Sequence, residues 1–306
     1  MITRDQVPSL YSPIYDEFML SAFAEESQIN PQVFQSIDDS TKEYKVNSLS
    51  GLGVWTSAEE AEDGNYEDPV EGYPKTFTQA KFRKRFGVSF EAVDQDEYAL
   101  LKKEEDVVAM GRGARGKVEL DTASVLSDGF AATCPDGQLL FDTDHDKNSE
   151  ETSTHYDNLL SGAFSHDNLE AAETQISNNL IDPTGLPIDP PAGALIVFPP
   201  ALRGAVARVL SDRALEQPGT ALRNINRFAG QYTPVEWRYL ATKFGGSDTA
   251  WFIIFKSLNM LKIVWSVHPH FTSWIDWAKE IYYFSGRMLY DCGATDWRGC
   301  FGSTGA

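Results

Sequence analysis

The residues best placed to do chemistry lie together in Phe141-Asp142-Thr143-Asp144-His145-Asp146, where three aspartates alternate around one histidine. Carboxylates at every second position can ligate a hard cation such as calcium, and an imidazole among them suits zinc. An EF-hand calcium loop opens with this alternation, but it needs glycine at its sixth position and a bidentate glutamate at its twelfth. Lys147 and Ser153 stand there instead, and the lysine sets a positive charge beside the ion. Asp and Thr in turns bond readily to nearby backbone, so the plain reading is a hairpin braced by its own side chains. The sharper alternative is a metal-dependent hydrolase built on Asp142, Asp144 and His145, completed by a ligand distant in sequence.

Other patterns carry less chemistry. Gly111-x-Gly113-x-x-Gly116 matches the dinucleotide fingerprint in its letters, yet that fingerprint works only where a strand enters the glycine turn. A helical pattern, Tyr98 to Met110, enters this one, so the glycines read as a bend or a relief of crowding. Of the five histidines only His268 and His270 are close, and on a strand both rings would point to one face. No third ligand lies near them in sequence. Cys134, Cys292 and Cys300 form no CxxC pair and read as buried thiols. There is no Gly-x-Ser-x-Gly elbow, HExxH or Walker loop. The expectation is a non-enzymatic chain without cofactor or metal.

The elements that position these residues follow from pattern and charge. At 306 residues and 42% hydrophobic content the chain can bury a substantial core. A net charge of -19 opposes any broad grip on nucleic acid. No apolar run nears the roughly 20 residues that span a bilayer, and the first residues lack the pattern of a secretory signal, so a cytoplasmic origin is expected. From Glu59 to Glu71 the chain is strongly acidic, with Glu59, Glu60, Glu62, Asp63, Glu67 and Asp68 in one turn-rich stretch. Leu52–Trp55 precedes it; Lys75 to Phe86 follows, alternating Phe77, Phe82 and Phe86 with polar residues as an exposed basic strand through Lys81, Arg83, Lys84 and Arg85. Residues 50–88 therefore read as a two-stranded excursion with an acidic tip and a basic return limb. A hairpin this polar implies a surface to lie on, and another subunit would supply one.

Beyond it, residues 94–132 read as helical, capped by Asp94 and Asp96 and either kinked or divided at the glycines. A hairpin at 136–145 precedes a helix capped by Ser165, a strand at Ala194–Phe198 and a helix over 201–213. Strands are predicted at Trp237–Leu240, Trp251–Phe255, Leu261–Trp265 and Ile281–Tyr290. The fold class is α+β.

Three segments share an order and spacing with a known family. Asp136-Gly137 before Phe141-Asp-Thr-Asp-His145, the amphipathic helix Phe164–Leu180, and Gly193-Ala-Leu-Ile-Val-Phe-Pro-Pro200 together resemble the major head subunits of Mu-like tailed phages. The ending Asp291–Gly302 looks like that family's closing segment. The resemblance implies the Hong Kong 97-type capsid fold: an N-terminal arm (1–45), an extended loop hairpin (46–90), a peripheral domain with spine helix (91–130), an axial domain (131–262) and return strands of the peripheral domain (263–306). It further implies a major capsid protein whose hexamers and pentamers build an icosahedral virion head in the host cytoplasm. The implied partners are further copies of itself, a portal, and scaffold or cement (decoration) proteins. The shell would enclose DNA without sequence-specific binding and without a membrane. The acidic tip and the basic limb, with Lys75, would meet across subunit boundaries.

Overall fold

The computed structural model describes residues 20–24, 28–47, 50–55, 57, 66, 68–94, 103–211 and 226–306. In chain order, helix α1 (Asn30–Val33) leads into β1 (Gln35–Asp38) and β2 (Glu43–Val46). After the acidic stretch come β3 (Lys75–Thr78), β4 (Ala80–Ser89), α2 (Phe90–Asp94) and the long α3 (Lys103–Ser127). The second half holds β5 (His145–Asp146), β6 (His155–Tyr156), β7 (Leu159–Leu160), α4 (His166–Asn179), β8 (Leu195–Phe198) and α5 (Arg203–Val209). It closes with β9 (Thr233–Glu236), β10 (Trp251–Ile254), β11 (Leu261–Asp276), β12 (Ile281–Ala294) and β13 (Cys300–Ser303).

Two sheets organise these elements. One has the order β1-β11-β12-β4, with β1 parallel to β11 and the other pairs antiparallel. The other runs β7-β13-β10-β8-β9. Strand β10 shows why this second sheet is central: Trp251-Phe-Ile-Ile254 is apolar without alternation and wholly buried. Phe252 and Ile254 enter the core that holds Val118 and Leu126 of α3, while Trp251 and Ile253 enter the core beneath α4. A continuous apolar run is what a strand covered on both faces requires. Helix α4 supplies one cover. Its N-cap Ser165 accepts the Asn168 N–H at 3.2 Å, and Leu169, Ala172 and Ile176, spaced three and four apart, form its buried stripe.

Helix α3 runs as one helix through Gly111, Gly113 and Gly116, the undivided of the two expected forms. Each interior glycine costs roughly 1 kcal/mol in helix propensity, and packing outweighs that cost. A Cβ at Gly116 would stand 3.2 Å from the Tyr239 hydroxyl, and Asp121 accepts the Tyr290 hydroxyl at 2.7 Å, tying the helix to β12. Asp94 ends α2 instead of capping the long helix, while Asp96, Tyr98 and Leu101 lie outside the described residues.

Several other expectations are corrected. Residues 30–46, most of them within the expected arm, are tied to the sheets: Val33 and Phe34 are buried, β1 pairs with β11, and β2 pairs with β3. The return limb is not matched by Leu52–Trp55, which forms no strand. Lys75–Thr78 pairs with Glu43–Val46, and Ala80–Ser89 joins β12 in the first sheet. Residues 263–306 do not all return to that sheet, because β13 lies between β7 and β10 in the second. Trp237–Leu240 is a buried tryptophan followed by a 3-10 turn, and the 201–213 helix shortens to α5 preceded by another such turn. Strand β11 carries a bulge between Val267 and His270, at Pro269, which lacks the N–H a regular ladder needs, and both histidines are exposed. His268 bonds Asp38 at 2.7 Å.

Glu119 anchors the N-terminal segment to α3. One of its carboxylate oxygens accepts the Ile29 and Asn30 N–H groups at 2.8 and 3.2 Å, where the first turn of α1 leaves donors unpaired. The other oxygen is buried without a partner, as are the Asn30 side-chain oxygen and the Trp237 indole N–H. Burial raises the Glu119 pKa, more than the two backbone donors lower it. A raised carboxyl contributes stability that is present at low pH and lost as pH rises through the raised value. Hydrogen exchange at Ile29 and Asn30, corrected for intrinsic rates, is therefore predicted to show tighter docking as pH falls toward the ordinary carboxylate range. Glu119→Gln, an uncharged acceptor, is predicted to abolish that dependence.

Candidate assembly surface

The aspartate–histidine hairpin closes on itself. His145 is fully buried, with Nδ1 2.6 Å from the Asp136 carboxylate and Nε2 3.1 Å from the Asn158 side-chain oxygen. The Asn158 amide is oriented by its other bonds: its NH2 donates to the Leu140 and Cys300 carbonyls at 2.7 and 3.0 Å, and its oxygen accepts the Asp142 N–H at 2.9 Å. Both imidazole nitrogens are thereby engaged, and the ring stacks on Trp297 at 4.7 Å. Asp142 turns its oxygens to the Thr143 and Leu139 N–H groups. Asp144 and Asp146 face His155 on the other limb, at 3.2 and 3.4 Å. The residues of the hydrolase alternative thus do not converge, and no group of three or more His, Cys, Asp or Glu among the described residues could hold a metal. Sequence reading missed Asp136 and Asn158, which decide the role of His145. The Asp-Gly turn nine residues upstream was the available signal for the first.

Arg298 completes the knot. Its guanidinium donates to the Ile181 carbonyl at 2.9 Å and to Asp296, and lies 4.6 Å from the Trp297 ring centre. The thiols play no part in it. Burial pushes Cys300 and Cys292 up to about 12 and raises Cys134 as well, which makes all three poor nucleophiles at neutral pH.

The basic strand is where the chain leaves charge unspent. On β4, Phe82 and Phe86 turn toward β12 and α3, with ring centres 5.0 Å from Tyr290 and 4.7 Å from Phe284. Lys81, Arg83, Lys84 and Arg85 are all exposed. Arg85 is held internally, donating to the Ser285 hydroxyl at 3.3 Å and lying over the Trp274 ring at 5.6 Å. Arg83 sits in register with Arg287, itself opposite His270, so two guanidiniums stand side by side on neighbouring strands. Lys75 is half-buried, 6.0 Å from the Phe77 ring centre. No acidic side chain among the described residues pairs with Lys81, Arg83, Lys84 or Arg287. Strand β4 is also a sheet edge, and exposed edges invite pairing unless charge blunts them. Of the acidic residues, Asp68 is exposed, and Glu59, Glu60, Glu62, Asp63 and Glu67 lie outside the described residues.

The sequence model of the family described as phage capsid protein matches residues 72–302. The chain belongs to the phage capsid protein family. Solved capsids share its fold at low identity. The cyanophage P-SCSP1u capsid is 11% identical with a TM-score of 0.61, over 91% of this chain and 88% of that one. The bacteriophage JBD30 procapsid is 18% identical with a TM-score of 0.52, over 99% and 76%. The capsid of a native GTA particle is 14% identical with a TM-score of 0.57, over 91% and 90%. A search of curated proteins finds no match. The fold is the Hong Kong 97 type, and the chain is a shell-forming major capsid protein.

In this capsid protein the histidine knot is structural. His145→Ala removes the partner of one Asp136 carboxylate oxygen, while the other keeps the Gln138 N–H at 3.1 Å, so denaturant unfolding is predicted to show a loss of about 1–3 kcal/mol. Calcium or zinc is predicted to leave the wild-type melting temperature unchanged; a metal-dependent rise would restore the hydrolase alternative.

Proposed function

We propose that this capsid protein forms hexamers and pentamers that close an icosahedral head around phage DNA. In this reading the five-stranded sheet with α4 and α5 is the axial domain, grouped about the local symmetry axes. The four-stranded sheet with α3 is the peripheral domain, and α3 is its spine. The acidic stretch of one subunit lies over the basic strand of its neighbour, with Glu59, Glu60, Glu62, Asp63, Glu67 and Asp68 meeting Lys81, Arg83, Lys84 and Arg85.

The observation that carries this reading is the row of cations on β4 and β12, where Lys81, Arg83, Lys84 and Arg287 have no acidic partner among the described residues, in a chain of net charge -19. Exposed ion pairs contribute only about 0–1 kcal/mol each, so registry would arise from many weak contacts repeated around a ring. Closed symmetry multiplies them without any single strong bond. A portal, and scaffold or cement proteins, would join the same lattice, assembled in the host cytoplasm. Net acidity suits a DNA container, because a shell that does not neutralise phosphates neither traps incoming DNA nor selects its sequence.

The test is Arg83→Glu with Arg85→Glu. Arg83 is exposed without an acidic partner among the described residues, and Arg85 loses one bond to Ser285 and its contact with Trp274, so circular dichroism should match wild type and the melting temperature should fall only slightly. Electron microscopy and size-exclusion chromatography should show shells or capsomers lost. Normal particles from that variant would refute the charge pairing.

A further inference from the structure

Between α3 and strands β4, β11 and β12 lies an open groove of about 230 Å³. Phe82, Met110, Phe271 and Met288 make its floor apolar, and Arg83, Lys84 and Arg287 stand around it. Its depth comes from two glycines. At Gly286 a Cβ would press within 2.9 Å of the Phe271 ring, so only glycine lets that ring lie flat across the strand. At Gly113 a Cβ would meet nothing within 4 Å, because the helix there faces the groove. The described residues put no side chain into this space. An apolar floor ringed by cations that lack acidic partners fits an aromatic side chain carried among carboxylates.

The chain itself contains such a group. Tyr66 is 97% exposed, an aromatic ring that no other described residue covers. It is followed at once by Glu67 and Asp68 and preceded by Glu62 and Asp63. We infer that Tyr66 of one copy seats in the groove beside Gly113 of a second copy, with Asp68 against the Arg83 and Arg287 guanidiniums. This inference rests on the subunit contact proposed above and adds to it. Charge pairing alone tolerates sliding between two charged strips, whereas one ring in one pocket fixes the register.

The groove can be tested apart from the charges. Gly113→Leu fills it from the helix side, into open space, and replaces glycine by a better helix former, so the monomer's melting temperature should hold or rise. Tyr66→Ala removes the ring from an exposed position. By sedimentation velocity, each variant should lose about tenfold or more of its assembled fraction at a concentration where wild type assembles. Combining them should cost no more than the worse single change, since both delete one contact. Independently of shell formation, concentrated Tyr66→Cys mixed with Gly113→Cys should give an intersubunit disulfide that neither variant gives alone.

Undiminished assembly of both variants would overturn the inference, as would the absence of the mixed disulfide. A disulfide that forms only when both cysteines share one chain would place the ring in its own subunit and overturn it too. If the Arg83/Arg85 reversal blocks assembly while Gly113→Leu and Tyr66→Ala assemble normally, the charge contact stands and the groove alone is rejected.

Discussion

The fold turns on the arrival of the chain's last residues at Asn158. Strand β13 lies between β7 and β10, with every residue from Cys300 to Ser303 buried, so the five-stranded sheet is incomplete until the C-terminal segment docks. Asn158 is the receptor for that docking. Its amide spans the Leu140 and Cys300 carbonyls and the Asp142 N–H, and its oxygen also meets His145. Trp297 covers the imidazole, and Arg298 reaches back to Ile181. Buried polar groups are costly unless fully partnered. The sequence therefore concentrates Asp, His, Asn and Arg at the one place where three distant segments must meet in a single register.

That constraint explains which parts were legible. Features with local causes read correctly: the Ser165 cap and its helix, the apolar strand before Pro199, and the unbroken apolar run of β10. Features decided by distant partners did not. His145 looked like a ligand because its true partners, Asp136 and Asn158, are separated from it in sequence. The glycines of α3 left a kink or a division open, and contacts from Tyr239 and Tyr290 hold the helix through them. Strand β4 was recognised as exposed and basic, while its partner β12 lies some two hundred positions away, and a nearer apolar stretch took its place. The order of the family motifs was more informative than the chemistry of any one of them.

A division of labour follows from where the charges sit. Cations near the knot are consumed internally, as Arg298 shows. Those on β4 and β12 are displayed, and the acid that would answer them is carried on a separate stretch of the same chain. A subunit arranged in this way keeps its own core independent of assembly. In the proposed contact, surface pairs that are weak singly would be cooperative in a closed ring, so that lattice errors could be undone before the shell closes.

The most direct test of this account is a cryo-electron microscopy map of the assembled particle, with residues 47–74 traced in each subunit. The account predicts that this stretch crosses to a neighbour and lies along its β4, with acidic side chains facing Arg83 and Arg287. A trace that folds back over its own subunit, or leaves the basic strand of every subunit facing solvent, would contradict it.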